Sequence, residues 1–137
     1  MTSRERQLML FMRLAGVVTG TAIFFVFVPY SVMNAIHDGW LGMGTLPTDP
    51  IVGYLARSLS AFYAMMGGLF IFLSFDVKRY RNAILYVIAF SFAFALMVGG
   101  IDIVEGLPPA WRYGEGPCVL VLSAVGYVLW RRAGEAA

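Results

Sequence analysis

Apolar residues along the chain gather into four long runs separated by short polar stretches. The first runs from Leu8 to Val28 and is broken only by Arg13. The second runs from Ile51 to Leu73 with Arg57 as its one charge. The third spans Ala83 to Val104 with Asp102 near its end, and the fourth spans Pro117 to Trp130. A helix crosses a bilayer with about 20 mostly apolar residues. In hydrocarbon, a spanning segment must satisfy its own amides, and a helix does so within one run. The pattern predicts an all-α fold: an integral membrane four-helix bundle, one transmembrane domain over residues 1–137, with spans 8–28, 51–73, 83–104 and 117–130. The fourth is the shortest, and crossing requires local thinning or anchoring by Trp130, Arg131 and Arg132.

The boundaries have local causes. Asp49-Pro50 and Gly116-Pro117 each offer proline for a first helical position, where its missing N–H costs nothing. Asp49 is a favourable N-cap. Pro29 ends or kinks the first helix, and Gly106-Leu107-Pro108-Pro109 cannot continue the third. The first run follows Arg4 and Arg6 as a signal peptide would. Its apolar stretch is longer than an h-region and no A-x-A site follows, so it reads as a retained span.

Lysine and arginine set the expected orientation. Arg4, Arg6, Arg13, Lys78, Arg79, Arg81, Arg131 and Arg132 lie at one set of helix ends, and only Arg57 and Arg112 lie toward the other. The positive-inside rule puts both termini and the loop 75–82 in the cytoplasm, and the loops 30–49 and 105–116 outside. The reading is a bacterial inner-membrane protein, for which outside means the periplasm.

Composition adds exclusions. The chain is 60% hydrophobic and 13% charged, so much of its surface does not face water; soluble domains carry roughly 25% charged residues. A net charge of +2 gives no nucleic-acid footprint. Cys118 is the only cysteine, which removes internal disulfides and CxxC chemistry. His37 is the only histidine, too few nitrogen and sulfur donors for a transition-metal site. No phosphate-cradling glycine loop appears. No metal and no cofactor are expected.

In lipid, close approach at small residues holds helices together. Gly16 and Gly20 form a GxxxG pair; Ala56, Ser60, Ala64 and Gly68 form a stripe on the second helix; Ser91, Ala95 and Gly99 form one on the third. These stripes are expected to pack the helices against each other.

Five of the eight acids (Asp38, Asp49, Asp102, Glu105, Glu115) fall toward the outer side, with His37, Arg57 and Arg112. Arg57 lies two turns into its helix, roughly 9–10 Å deep at 1.5 Å per residue. Asp102 lies one turn from the outer end of the third helix, at similar depth. Charges in hydrocarbon pair or line a wet cavity, so Arg57 is expected to pair with Asp102 or Glu105. Asp102 and Glu105 are three residues apart on one face, at a negative helix end. They call for a cation, a shared proton or a ligand. Asp49 and Glu115 precede helix starts, where negative charge is favoured without function. Arg57, Asp102 and Glu105 are the expected nucleus of a ligand-binding or ion-pair cluster, with Arg112 and Glu115 at its rim.

The segment Arg57-Ser58-Leu59-Ser60-Ala61-Phe62-Tyr63-Ala64-Met65-Met66-Gly67-Gly68 resembles the arginine-then-glycine second helix of small bacterial four-helix membrane proteins that are DoxX-like in size and layout. Asp102-Ile103-Val104-Glu105-Gly106-Leu107-Pro108-Pro109-Ala110-Trp111, closing with Glu115-Gly116-Pro117, resembles an outer loop of uncharacterised proteins of that type. The resemblance covers about half the chain. It implies the four-span layout and marks the outer loop, and it implies no activity.

The leading expectation is a non-enzymatic accessory or interaction subunit, or a binder of a small amphiphile at a charged outer site. Its partners would be the lipid bilayer and a homo-oligomer or larger membrane complex. The alternatives are an oligomeric small-solute or proton-coupled transporter and a membrane-embedded lipid-modifying enzyme using Glu105 or Glu115.

Overall fold

The computed structural model describes residues 1–135. Its elements are α1 (Ser3–Gly20), α2 (Ile23–Phe27), α3 (Tyr30–Ala35), a π-helical turn over Ile36–Trp40, α4 (Pro50–Ser74), α5 (Arg81–Val104) and α6 (Pro109–Gly134). The described residues are all-helical, with no strand among them. Four stretches are long and apolar enough to cross a membrane: Ser3–Phe27, Pro50–Ser74, Arg81–Val104 and Pro109–Gly134.

The second and third lie close to the expected runs 51–73 and 83–104; the first begins five residues before the expected 8–28 and is two helices, α1 and α2, and the fourth differs most. Pro109, not Pro117, takes the first-turn position, after an extended Pro108 with ψ 149°. Pro117 lies inside the helix, where it cannot donate to the carbonyl four residues back, that of Tyr113. The expected short span 117–130 is therefore a 26-residue helix, the longest of the four. Most of the expected outer loop 105–116 is helical, and Glu115 sits within α6 instead of before it.

The chain forms two compact units, Met1–Leu14 with the chain from Ile71 on, and Ala15–Phe70. In the first, α5 and α6 run antiparallel. The buried residues of α5 are Ile84, Val87, Ile88, Ala95 and Asp102. Those of α6 are Gly116, Ser123, Gly126 and Ala133, all small and at seven- and three-residue spacing. This seam lets the backbones approach. A Cβ on Gly116 would stand 3.2 Å from the Ala95 carbonyl and 3.3 Å from Gly99 Cα, and one on Gly126 would stand 3.1 Å from the Phe11 ring. The expected Ala95–Gly99 stripe therefore does pack, against α6.

The termini end of this unit holds most of the apolar core: Leu8, Met12, Leu73, Val77, Ile84 and Ala133 are buried. Thr2 and Glu5 form a capping box at the start of α1, with Glu5 N–H donating to Thr2 Oγ1 (3.2 Å) and Thr2 N–H to Glu5 Oε2 (2.9 Å). Arg81 stacks on the Trp130 indole, 4.2 Å from its centroid, and donates to the Trp130 carbonyl (3.1 Å); Trp130 Nε1 donates back to the Arg81 carbonyl (2.9 Å). A cation at the C-terminal end of α6 is also favoured by the helix dipole.

In the second unit, α1 tightens after the GxxxG pair. Ala22 N–H donates to the Thr19 carbonyl, and Thr21 Oγ1 donates to the Val18 carbonyl at 2.6 Å. Gly16 and Gly20 then meet α4 at Gly67: a Cβ there would stand 2.5 Å from Gly20 N and 2.6 Å from the Gly16 carbonyl. The expected Ala56–Ser60–Ala64–Gly68 stripe is not that contact. Gly68 has open space where its Cβ would be, and Ala56 is exposed. Gly68 is turned about 100° from Gly67 around the helix axis. The connection to α4 is tied down locally. Tyr30 Oη donates to the Leu46 carbonyl, Leu46 N–H donates to Asn34 Oδ1 (2.7 Å), and His37 Nδ1 lies 2.7 Å from the Gly44 carbonyl. Gly42 and Gly44 take φ of +63° and +77°, which suits residues without a Cβ.

Candidate functional site

α5 ends in a Schellman motif. Gly106, at φ +69°, donates to the Ile103 carbonyl, and Leu107 N–H donates to the Asp102 carbonyl at 3.0 Å. Pro108 then blocks continuation, so the Leu107 carbonyl has no helical partner. Arg112 Nη2, from the first turn of α6, donates to it at 3.0 Å. Leu107 is thus bonded on one side to Asp102 and on the other to Arg112. This corner is the structured part of the expected site.

Arg57 solves the same problem elsewhere. Val28 and Pro29 are extended, and Val32 N–H bonds to the Pro29 carbonyl, so the helical donor for Val28 is missing. Arg57 Nη2 donates to the Val28 carbonyl at 3.3 Å. The two arginines that depart from the inside-positive pattern therefore share one chemical task. Each covers the carbonyl of the residue before a helix-interrupting proline. A carbonyl without a donor is costly wherever it is kept from water, and neither role was legible from charge counting. The available signal was an X-Pro break paired with an otherwise misplaced arginine.

Asp102 is the most unusual group at the corner. It is 2% exposed, and its Oδ2 has no hydrogen-bond partner. It lies on the α5 seam, seven residues beyond Ala95, which faces α6. Continuing the antiparallel register places it opposite the Arg112–Tyr113 turn. The positive N-terminal end of α6 there offsets the negative C-terminal end of α5. Arg112 Nε is also buried and unpartnered.

The other expected residues divide around this pair. Glu105 caps α5 and is exposed, so it does not share the buried environment of Asp102 despite the three-residue spacing. Glu115 is half-buried on α6. Arg57 belongs to the unit Ala15–Phe70, and Asp102, Glu105, Arg112 and Glu115 belong to the other. Among the described residues, no three His, Cys, Asp or Glu side chains cluster to hold a metal ion.

A second polar feature, not expected from the sequence, lies at the termini end. Glu5 is buried and pairs with Lys78 at 3.3 Å beside a cleft of about 190 Å³ that also touches Ser74, Phe75 and Asp76. Nearby, Arg13 Nε donates to Ser74 Oγ (3.3 Å) and lies 5.7 Å over the Phe75 ring. The signal in the sequence was T-x-x-E at residues 2–5. Comparison of the chain with family models, with curated proteins and with solved structures gave no match.

Proposed function

We propose that this chain is an integral membrane protein of the bacterial inner membrane, with both termini in the cytoplasm, that binds a small amphiphile at the α5–α6 corner on the opposite face. Four features support the membrane reading. Four helices have the length and apolarity to span. Their large side chains point outward, with Phe24 70%, Phe27 77% and Met65 74% exposed. Eight of the ten basic residues lie at one set of helix ends. The aromatic residues Trp40 and Tyr113 are exposed near the opposite ends, as at a membrane interface.

The observation that carries the binding reading is Asp102, a carboxylate 2% exposed with one oxygen that has no hydrogen-bond partner, on the helix face that the register sets against the first turn of α6. Intramembrane ionisable groups mark functional sites when their partner is identified, and here the open valence calls for one. Mass spectrometry of the protein released intact from mild detergent tests this. The expected result is an amphiphile retained by the native chain and lost by Asp102→Ala. Recovery of a bare chain from both would sink the reading. Maleimide labelling of single cysteines at positions 76 and 110, with Cys118→Ala in both, tests orientation; equal labelling from one face would reject it.

The accessory-subunit reading draws on α4. Only 6% of its apolar window is buried, against 22% for α5. An assembly in which α4 meets another chain would cover that face. The pairing of Arg57 with Asp102 or Glu105 and the kinship with DoxX-like proteins belong to the same proposal. A double-mutant cycle between Arg57 and Asp102 tests the pairing, and additive effects would count against it.

A further inference from the structure

We propose that the arginine cluster at the C-terminal end of α6 binds the phosphate of an anionic phospholipid headgroup, and that the Glu135 carboxylate holds that place in the lipid-free chain; this rests on the membrane reading above. Arginines from three helices converge there. Arg131 Nε donates to Glu135 Oε1 at 3.2 Å, and Arg4 Nη1, from the first turn of α1, lies 3.9 Å from the other oxygen, Oε2. One carboxylate thus sits between two guanidinium groups. Arg81, at the start of α5, lies against Gly134, where an added Cβ would fall on its guanidinium. Arg132 is exposed next to Arg131. The anion-holding groups are open to solvent: the side chains of Arg4, Arg131 and Glu135 are 51%, 69% and 52% exposed.

The α6 dipole accounts for part of this charge. Its C-terminal end carries about half a negative charge, and Arg81 already answers it by donating to the Trp130 carbonyl. Among the described residues at this end of α6, four arginines meet one glutamate, a formal excess of three positive charges. Exposed ion pairs are worth little, so Glu135 is a weak occupant. A phosphate diester presents two anionic oxygens, the acceptor that an arginine fork matches best. The neighbouring surface fits acyl chains. Val121, Val125 and Val128 are exposed on α6 as it approaches the cluster, and Tyr127 and Trp130 stack at 5.8 Å, the residue types of a membrane interface. That apolar approach commits the anion to a lipid instead of a free phosphate. Anionic lipids of the cytoplasmic leaflet attract basic residues at this depth.

The experiment uses the full chain, delipidated in detergent and offered equimolar phosphatidylglycerol and phosphatidylcholine with identical acyl chains. Retained lipid is read by native mass spectrometry. Phosphatidylcholine carries the same phosphate but adds a cation that the surplus arginines repel. A basic residue near an anionic headgroup contributes about fivefold in affinity, so phosphatidylglycerol should lead by at least that factor. Arg131→Gln should cut its retention about fivefold and narrow the lead. Glu135→Gln should raise its retention, because the competing carboxylate goes and the arginines stay; a glutamate that only ties α6 to α1 gives no gain. Soluble glycerol phosphate at the lipid's concentration should not displace it. Equal retention of the two lipids by the unaltered chain, no gain in Glu135→Gln, or displacement by glycerol phosphate would each overturn the inference, the last by assigning the cluster to a free anion. The maleimide labelling reads orientation independently, so a missing lipid preference with the expected labelling rejects this site and not the membrane reading. The comparison on the unaltered chain needs no variant to fold.

Discussion

Adjacent glycines on α4 should respond oppositely to the same substitution. In Gly67→Ala the new methyl would stand 2.5 Å from Gly20 N, where ordinary contact begins at 3.4 Å, so the two backbones must part by about 0.9 Å (3.4 − 2.5). Overpacking of this kind costs about 1–3 kcal/mol, because rigid backbone cannot yield as a side-chain tip can. Replacing glycine by alanine in a helix returns about 1 kcal/mol. The net expectation is a loss of up to about 2 kcal/mol for Gly67→Ala, and more for Gly67→Val. In Gly68→Ala the methyl meets nothing within 4 Å, so only the helical gain remains. Gly20→Ala is the sharper control. Gly20 contributes its backbone to the contact, but its own Cβ direction is open, so that substitution should be tolerated. A reading based on the GxxxG pattern alone expects the opposite. Unfolding the three variants by SDS titration in dodecylmaltoside micelles, followed by circular dichroism, gives the ranking. If Gly67→Ala is as stable as the parent, or Gly68→Ala and Gly20→Ala lose as much as it does, the packing argument fails.

Other expectations follow from single contacts. Arg57→Ala should cost about 1 kcal/mol by exposing the Val28 carbonyl, and Pro29→Ala in the same chain should recover it, since a residue with an N–H lets the helix run on; thermal unfolding of the four combinations checks this, and additivity would contradict it. Gly134→Ala places a methyl on the Arg81 guanidinium, so the Arg81–Trp130 stack should open and cost about 1 kcal/mol. The Trp130 emission spectrum, recorded after Trp40→Phe and Trp111→Phe, should shift, and an unchanged spectrum would show the stack intact. Thr2→Val should remove a cap worth about 1 kcal/mol, seen as faster amide exchange over residues 3–6, with no change at α5. Cys118 is exposed on α6; if that surface faces lipid, a membrane-permeant maleimide should label it and a charged one should not, whereas equal labelling by both would place it in water.

Much of the chain's organisation was present in the sequence. The apolar runs 51–73 and 83–104 became helices at nearly those bounds, because run length and amide satisfaction depend on local composition; the run 8–28 became two helices, α1 and α2, that begin at Ser3. The end of α5 at Gly106-Leu107-Pro108 was equally legible, since a left-handed glycine and a proline act within a few residues. The fourth helix was misjudged because two prolines competed for one role. A proline-at-N1 rule cannot choose between Pro109 and Pro117 without knowing that the helix tolerates the lost bond at Tyr113.

The candidate site was legible only in part. Asp102 and Arg112 were named from charge type and position. The difference between buried Asp102 and exposed Glu105 follows from which face of α5 meets α6, a long-range fact. Arg57 looked like one half of an ion pair, yet its hydrogen bond goes to a carbonyl freed by Pro29, twenty-eight residues earlier. The sequence by itself determined where helices form and stop, because those choices are settled by neighbours along the chain. Tertiary structure decided which glycine touches which backbone and which charges lose their water, because those depend on the rotation of one helix against another, and a shift of one residue turns a helix face by about 100°.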